Sequence, residues 1–471
     1  MYVSSANIVK RVFHTMTPSS PVNHAPGPRG RALWQSMRRL QHQTLAVCLS
    51  LRTQFGDVVR LPLWPHPLYL ISHPDAIQYV LRDHAGNYRK GALFQSIAAL
   101  QGQGLLTSEG DFWRRQRRLA QQAFRPQHLS LFGTIMTEEA QAVVHCWRQA
   151  AHTGEPINVA AWMHRLTFRI VGRALLGIAP EELDEVGRQL QAVGQQLFPY
   201  LAARFTRAWI LPAWMPMPSR RRFRRAVALY NAIAQRLISA RRQALRHTPT
   251  ASTDVLALLI ATGHDAMTEQ QLRDEVITFI GAGVETSAQA LSWTWYLLAT
   301  SPEAAQRLQA ELHSVLGTSP PTPQDLPHLP YCRMVLDEAL RLYSPAAILP
   351  RQANTADVIN GYAIPKNAVI LMSQYVTHRH PDFWPEPERF CPERFAPAQR
   401  ALRHDFAYFP FGAGPRVCIG KQFALLEMQL ALATIAQAYN LQLLADRPVV
   451  PHLSTTLQPQ DGLWMTVQAR Q

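Results

Sequence analysis

The 471-residue sequence is poor in cysteine, and the cysteines it has are not arranged in pairs. Their number is odd, no Cys-x-x-Cys motif occurs, and their positions are Cys48, Cys146, Cys332, Cys391 and Cys418. This pattern argues against a disulfide framework and favours a reducing compartment. The sequence also lacks an apolar run near the roughly 18 residues that a membrane span needs. A secretory signal pattern is missing as well, so we expect a cytoplasmic protein without a transmembrane anchor.

Acidic residues are scarce relative to basic ones. The chain has 47 Lys and Arg against 32 Asp and Glu, which gives a formal net charge of +15. A basic surface attracts acidic partners. The densest basic clusters, at 113–119 and 219–225, lack paired metal ligands and an aromatic–glycine sheet signature. We therefore expect an acidic partner that is not a nucleic acid.

Helical patterns dominate the chain, and short β-rich runs lie near both of its ends. The longest helix is predicted between Thr268, which forms a possible capping box with Gln271, and Ser301–Pro302, where the next helix starts. It has about 32 residues and a length of roughly 48 Å. Asn360–Gly361 between alternating segments predicts a β-hairpin. These elements predict a mainly α fold with a small β portion (α+β).

The sequence lacks internal repeats and low-complexity linkers, so no boundary divides its long middle part. A chain of this length often forms several domains, but this rule is only a soft prior. We expect an N-terminal arm at residues 1–30 and one catalytic domain at residues 31–471.

A decapeptide late in the chain, FGAGPRVCIG at 411–420, surrounds Cys418 with features that a core cysteine does not need. Cys418 lies just before a helix that starts near Lys421, and a helix N-terminus lowers the pKa of a thiol. Nearby glycines let the backbone approach a flat group closely; they are Gly412, Gly414 and Gly420. Arg416 is placed to reach a carboxylate. These features describe a haem bound by cysteine, whereas the other four cysteines are expected to be core or half-buried thiols.

The decapeptide resembles the haem-binding signature of the cytochrome P450 superfamily. The five fixed positions of that signature are matched by Phe411, Gly414, Arg416, Cys418 and Gly420. The resemblance implies the P450 fold, in which a long central helix lies over the haem and the cysteine loop lies beneath it. It implies haem b (iron protoporphyrin IX) as the cofactor, Cys418 as the iron ligand, and cofactor contacts from Phe411, Gly412, Arg416 and Gly420.

Two further motifs resemble a structural network of the same family. The first is EALR, whose Glu338 and Arg341 lie three residues apart and therefore share one helix face. Taken alone, this spacing is typical of a surface ion pair. The second is FCPERF at 390–395, whose Arg394 resembles the third member of a Glu–Arg–Arg network. The resemblance implies that the three side chains hold the segment before the cysteine loop.

The stretch AGVET, in the middle of the long predicted helix, resembles the oxygen-binding segment of the family. Gly281 and Gly283 cost roughly 1 kcal/mol each in a helix interior relative to alanine. The glycines alone are equally compatible with close helix packing. The adjacent acid and alcohol favour a proton relay during oxygen activation. The catalytic candidates are Ala282, Gly283, Glu285 and Thr286.

The stretch WRRQR resembles the family's tryptophan and arginine pair that donates to a haem propionate. Trp113 and Arg117 lie four residues apart, on one helix face. The resemblance adds Arg351 and Arg416 as companions. The remaining basic residues are individually typical of a solvated face, but together they form a candidate docking surface; they are Arg114, Arg115, Arg118 and Lys421.

Segments that face the substrate are placed by resemblance alone. These segments are 88–107, 192–217, the long helix around Ala282, 346–350 and 454–457. The apolar candidates within them are Phe94, Leu105, Leu106, Phe198, Ala346, Ile348, Leu349 and Leu457. Such a pocket suits a fatty acid, a terpenoid, a steroid or a polyketide. A further apolar stretch at 210–218 is a candidate for touching a membrane or shaping the pocket entrance.

The function that the resemblance implies is insertion of one oxygen atom from O2 into a C–H or C=C bond of a hydrophobic small molecule. Electrons are expected from NAD(P)H through a separate acidic ferredoxin or flavodoxin-type partner, since we expect no fused reductase. One alternative is a peroxide-driven peroxygenase, against which the Glu285–Thr286 pair speaks. The other is a non-catalytic haem sensor, which leaves the proton relay unexplained.

Overall fold

The computed structural model describes residues 23–40, 43–207, 220–247, 254–262 and 267–470. Most of the predicted arm, at 1–22, and the apolar stretch at 210–218 lie outside these residues, so both remain predictions. The α-helices are α1 (Gly30–Leu40), α2 (Thr44–Phe55), α3 (Pro74–Gln78), α4 (Ala92–Gln101), α5 (Gly110–Ala123), α6 (Pro126–Thr153), α7 (Val159–Ala174), α8 (Leu183–Arg207), α9 (Arg220–His247), α10 (Val255–Ala261), α11 (Glu269–Ala299), α12 (Pro302–Leu316), α13 (Pro330–Leu342), α14 (Gln374–Thr377), α15 (Pro397–Ala401) and α16 (Lys421–Ala438).

The strands are short and form small sheets beside the helices. They are β1 (Val58–Leu61), β2 (Leu68–Ile71), β3 (Tyr88–Arg89), β4 (Ile157–Asn158), β5 (Ile348–Ala353), β6 (Asp357–Ile359), β7 (Tyr362–Ile364), β8 (Val369–Ser373), β9 (Tyr439–Leu443), β10 (Pro451–Leu453), β11 (Leu457–Pro459) and β12 (Trp464–Ala469). The largest sheet has the order β1-β2-β8-β5-β3, in which β2 and β8 are parallel. A three-stranded sheet has the order β4-β12-β9. The mainly α fold with a small β portion is thus confirmed.

The long helix predicted from the sequence is α11, which has 31 residues. Its capping box is present, since Gln271 N–H donates to Thr268 Oγ1 at 3.3 Å and Thr268 N–H donates to Gln271 Oε1 at 2.8 Å. Most of its residues are buried, and Leu291 and Trp293 have no exposed surface. An apolar helix buried on most sides is the centre around which a helical core packs. No helix among the described residues combines the length and apolar character needed to cross a membrane.

Local signals also placed the predicted hairpin and the last strands correctly. Asn360 and Gly361 adopt φ values of 48° and 80°, which suit the two central positions of a tight turn between β6 and β7. β9 and β12 pair antiparallel with Met465 opposite Leu443. α11 packs against α16, and Leu349 of β5 lies beside Gly412 in the loop before α16, so the candidate site lies among these elements.

Candidate active site

The loop before α16 presents Cys418 by a tightly determined backbone. Cys418 N–H donates to Phe411 O at 2.9 Å, which closes the loop around the turn at 414–416. Gly414 has φ +66°, and a Cβ added there would lie 1.8 Å from Leu81 O. No other residue fits that position, because both the φ value and the space exclude a side chain. Glycine at 414 is therefore required by the packing of this loop.

The thiol of Cys418 does not have the lowered pKa that its place before a helix predicts. Burial raises the pKa, and the Gly420 N–H and the positive charges of Arg117 and Lys421 offset that effect only in part. The side chain nevertheless has exposed surface. The prediction was wrong in sign because burial is a tertiary effect that the sequence around the cysteine does not contain.

The middle of α11 is accessible although the helix is buried on either side. Residues at 277–280 and 287–291 are buried, whereas 281–286 are partly or fully exposed apart from Val284. Thr286 Oγ1 donates to Ala282 O at 2.8 Å. A Cβ at Gly283 would lie 3.2 Å from Val171. The predicted catalytic residues thus lie together on one accessible stripe of α11.

The acid of this stripe is held by three partners. Glu285 Oε1 accepts from Gln289 Nε2 and from Thr456 Oγ1, both at 3.0 Å. Its Oε2 lies 3.5 Å from His164 Nε2 on α7. Burial raises the pKa of Glu285, but the hydrogen bonds and charge of these partners outweigh it and lower the pKa overall. The carboxyl group is therefore ionised at neutral pH.

Several cations gather between strands β3 and β5, the start of α5 and the cysteine loop. The Arg416 guanidinium stacks 3.7 Å above the Trp113 ring, and Arg117 lies 5.6 Å from the same ring. Arg416 donates to Ser108 O at 2.8 Å and pairs with Glu109. Burial and the charge of Arg416 lower the pKa of Arg351 to about 10.

Lys90 is a fourth cation of this group, and no sequence pattern predicted it. Its Nζ donates to Leu106 O. Burial, with the charges of Arg416 and Arg351, lowers its pKa to about 7. No motif marks Lys90, because it joins the cluster through the pairing of β3 with β5. A lysine in a segment without a recognisable motif is too common in sequences to be specific.

The cation cluster fits the haem that the family signature implies. Positive charges that lie close together in a buried place are favourable only when anions balance them. Glu109 is a carboxylate that does so in part, since its charge raises the pKa of both Lys90 and Arg351. Haem carries two propionate carboxylates. Haem is a flat ring with two carboxylate groups, and in this case its iron takes a thiolate ligand. Such a group suits the combination of the cation cluster, the accessible Cys418 thiol and the accessible stripe of α11.

Glu338, Arg341 and Arg394 meet in the interior as the family resemblance implied. Glu338 and Arg341 have no exposed surface, and Arg341 donates to both Glu338 oxygens at 2.7 Å. Arg394 Nε lies 3.4 Å from Glu338 Oε1, a close ion pair without hydrogen-bond geometry. Cys391 N–H donates to the same carboxylate at 3.0 Å. The surface-pair alternative is therefore excluded for Glu338 and Arg341.

The apolar pocket candidates differ in their surroundings. Leu105 is buried, and its N–H donates to Glu275 Oε2 at 3.1 Å. Leu457 has no exposed surface, and its carbonyl accepts from Trp293 Nε1 at 2.9 Å, so it belongs to the core around α11. The half-buried candidates are Phe94, Leu106, Ala346, Ile348 and Leu349. Phe198 lies on α8, but its side chain is outside the described part of the structure.

The other cysteines follow the core expectation with one exception. Cys48 and Cys332 are buried, and Cys391 is half-buried. Cys146 is exposed, contrary to the expectation. It lies on the outer face of α6, next to the fully buried Trp147. Adjacent helical residues point in different directions, so burial of Trp147 leaves Cys146 outside.

Comparison with known proteins identifies the family of this chain. The family described as Cytochrome P450 matches residues 26–466. "Cyclooctatin synthase" of Streptomyces melanosporofaciens is 32% identical over 463 residues, which cover 95% of this chain and 97% of that protein. "Cyclooctat-9-en-7-ol 5-monooxygenase" of the same organism is 32% identical over 82% of this chain and 83% of that protein. The crystal structure of the cytochrome P450DA heme domain superposes with a TM-score of 0.84, at 26% identity, over 95% of this chain and 98% of that chain. The chain therefore belongs to the cytochrome P450 family and is a haem-thiolate monooxygenase.

Proposed function

We propose that this monooxygenase hydroxylates a carbocyclic terpenoid, using O2 and electrons delivered by a separate acidic redox protein. The observation that carries the proposal is the accessible stripe of α11, where Glu285 and Thr286 lie next to the small residues Ala282 and Gly283. Two relatives whose names refer to cyclooctat- compounds favour a terpenoid over a fatty acid, a steroid or a polyketide.

The cofactor contacts are assigned to residues of the cation cluster and the cysteine loop. Cys418 would ligate the iron, and the loop residues Phe411, Gly412 and Gly420 would lie against the ring. The propionates would be held by Lys90, Trp113, Arg117, Arg351 and Arg416. When bound, a thiolate-ligated haem activates dioxygen for insertion into a C–H bond. The chain's own residues bind and orient the substrate and control protons.

Protons would reach the reaction through Glu285 and Thr286. An ionised carboxylate beside a hydroxyl can take up a proton and pass it on. Ala282 and Gly283 have no bulky side chains, and they leave the Thr286 hydroxyl accessible from the stripe. The apolar candidates at 94, 105–106 and 346–349 would orient a hydrocarbon over this stripe, as substrate pockets are mostly apolar with few polar groups.

Replacing Thr286 by valine is expected to uncouple electron consumption from product formation by several-fold, because the hydroxyl that positions the proton is lost. The ratio of product to NAD(P)H consumed, together with the hydrogen peroxide released, measures this effect. Thr294→Val is the matched control. Thr294 makes the same kind of bond, to Ala290 O at 2.7 Å, but is fully buried. Equal coupling in the two variants would remove Thr286 from the relay.

The docking surface for the electron donor is assigned to exposed arginines at the start of α5 together with half-buried Lys421. Arg114 pairs with Asp111 on the same helix, which leaves the face basic overall. Reduction of the haem by an acidic ferredoxin is expected to slow several-fold between about 0.05 and 0.5 M salt, because screening weakens steering.

Charge reversal locates this surface. Arg118→Glu is expected to slow reduction by the ferredoxin and to flatten the salt dependence. Arg222→Glu is the matched control, since Arg222 is an exposed arginine of the other basic cluster, on α9. Stopped-flow reduction measures both variants. Slowing by Arg222→Glu alone would move the docking surface to α9.

The decisive experiment is a screen of the purified holoenzyme in two steps. The reduced, carbon monoxide-bound spectrum should first show the red-shifted band of a thiolate-ligated haem. Carbocyclic terpenoids and fatty acids are then compared by spin-state shift and by product analysis with a reduced ferredoxin. Conversion of terpenoids supports the proposal. Conversion of fatty acids alone, or turnover with hydrogen peroxide alone, would contradict it.

A further inference from the structure

The partners of Glu285 differ in what they can do with a proton. Gln289 and Thr456 hold Oε1 and cannot change their charge near neutral pH. His164 faces Oε2 at 3.5 Å, and an imidazole ring can both accept and donate a proton at its nitrogens. Its side chain is 44% exposed, whereas that of Glu285 is 17% exposed. Because His164 is the more exposed of the two, the pair connects the solvent with the Glu285 carboxylate.

The position of His164 is fixed by the packing of α7 on α11. Thr167, one turn after His164, donates from Oγ1 to Val284 O at 3.1 Å. Val284 immediately precedes Glu285, so this bond sets the register of the two helices at the pair. The next residue, Arg165, turns away and pairs with Asp184 at 3.0 Å. The imidazole is therefore held towards Glu285 by a buried contact of its own helix.

We propose that His164 is the residue through which protons from solvent reach Glu285, an inference that rests on the proposed relay role of Glu285. The His164 imidazolium gives the Nε2 proton to Glu285 Oε2. The resulting Glu285 carboxyl donates a proton towards the Thr286 hydroxyl, and the neutral imidazole takes a new proton from solvent. Only protons move, and each group returns to its starting state. His164 acts through Glu285 and is a positioning and relay residue.

If His164 has only a structural role, it holds the Glu285 carboxylate in place, as Thr456 does, and carries no proton. The two roles are separated by variants that alter one property each. His164→Gln keeps a hydrogen-bond donor but cannot carry a proton. Thr456→Val removes a hydrogen bond to Glu285 without changing any titratable group. Arg165→Gln alters the neighbouring exposed cation, which does not face Glu285.

The rate of dioxygen consumption by the reduced holoenzyme, in water and in deuterium oxide, tests the relay. His164→Gln is expected to lower the rate about tenfold, since general acid–base groups contribute roughly a hundredfold or more and a secondary member less. The solvent isotope effect should rise, because proton delivery becomes rate-limiting. Arg165→Gln should leave the isotope effect near that of the unmodified protein, and Thr456→Val, which loses only a hydrogen bond to Glu285, should raise it less than His164→Gln does. A His164→Gln isotope effect equal to that of Arg165→Gln would overturn the inference.

A Glu285→Gln variant separates failure of this inference from failure of the proposed function. If Glu285→Gln slows dioxygen consumption and His164→Gln does not, only the role of His164 is wrong. If neither variant slows it, the relay role of Glu285 is wrong as well. Slowing by both variants, with a raised isotope effect in both, supports the inference.

Infrared spectroscopy of the resting protein gives a readout that does not depend on turnover. The carboxyl band of Glu285 is isolated by subtracting the spectrum of Glu285→Gln. The pKa of Glu285 is raised by burial and lowered by its contacts with His164, Gln289 and Thr456. His164→Gln should therefore shift the titration of this band to higher pH, whereas Arg165→Gln should leave it in place. An unchanged titration in His164→Gln would show that the two groups are not coupled.

Discussion

Replacing Arg341 by leucine is expected to lower the free energy of unfolding by about 3–5 kcal/mol, the usual cost of breaking a fully buried ion pair from one side. Both Glu338 oxygens lose their closest donors, and Arg394 at 3.4 Å is the remaining cation of the network. The substitution also leaves backbone acceptors without this donor; they are His378 O, Pro387 O and Arg389 O. Unfolding by guanidinium chloride, followed by far-ultraviolet circular dichroism, measures the change.

The same variant tests whether the network holds the segment before the cysteine loop. The three carbonyl acceptors lie at 378–389, and Cys391 N–H is tied to Glu338. Losing these ties should lower haem content as well as stability. Arg389→Gln is the matched control, because the Arg389 side chain is 63% exposed and pairs with an exposed Glu386. An exposed pair contributes about 1 kcal/mol or less. Similar losses in the two variants would contradict the structural role of the buried network.

Arg341→Lys gives an intermediate case. Lysine keeps the positive charge but cannot donate to both carboxylate oxygens and to three carbonyls at once. A loss smaller than that of Arg341→Leu, with haem content partly retained, would show that charge and geometry both contribute. A loss as large as that of Arg341→Leu would assign the whole effect to geometry.

What the sequence predicted correctly is local in the chain. The capping box at Thr268 and Gln271 and the hairpin turn at Asn360–Gly361 each depend on residues within a few positions, and the structure has both. The cysteine loop was recognised because its signature is contiguous. Its glycine at 414 is explained only by the structure, since Leu81 O belongs to a segment more than 300 residues earlier.

What the sequence missed depends on contacts between distant segments. Lys90 meets Arg351 and Arg416 only through the pairing of β3 with β5. His164 and Thr456 reach Glu285 from α7 and from the turn before β11, and each is more than 100 residues away. The wrong sign for the Cys418 pKa has the same cause, because the desolvation that raises the pKa comes from the whole fold. The residue types in the sequence indicate which side chains are candidates for the site. The contacts that these side chains make in the folded protein determine whether they are charged.

Glu427 on α16 shows how far burial can change a carboxyl group. It has no exposed surface, and burial is the largest effect on its carboxyl group. Burial raises its pKa to about 8, and Ser287 on α11 offsets this only in part. The group is therefore protonated in the folded protein at neutral pH. In the unfolded chain it ionises at the ordinary pKa of about 4.3.

This difference in pKa has a defined consequence for stability. Between about pH 4.3 and 8 the folded state holds a proton that the unfolded state releases, so unfolding becomes more favourable as pH rises. At pH 7 the lost stability is about 3–4 kcal/mol, at roughly 1.4 kcal/mol per pH unit. Below about pH 4 the penalty vanishes because both states are protonated.

Glu427→Gln is expected to remove this pH dependence. The amide has nearly the shape of the protonated acid and carries no charge in either state. The variant and the unmodified protein should therefore match near pH 4.5 and diverge as pH rises, with the variant more stable by about 3 kcal/mol at pH 7. Guanidinium chloride unfolding at a series of pH values measures the difference between the two proteins, in which contributions from other titrating groups cancel. A constant difference across that range would mean that Glu427 ionises alike in the folded and unfolded states.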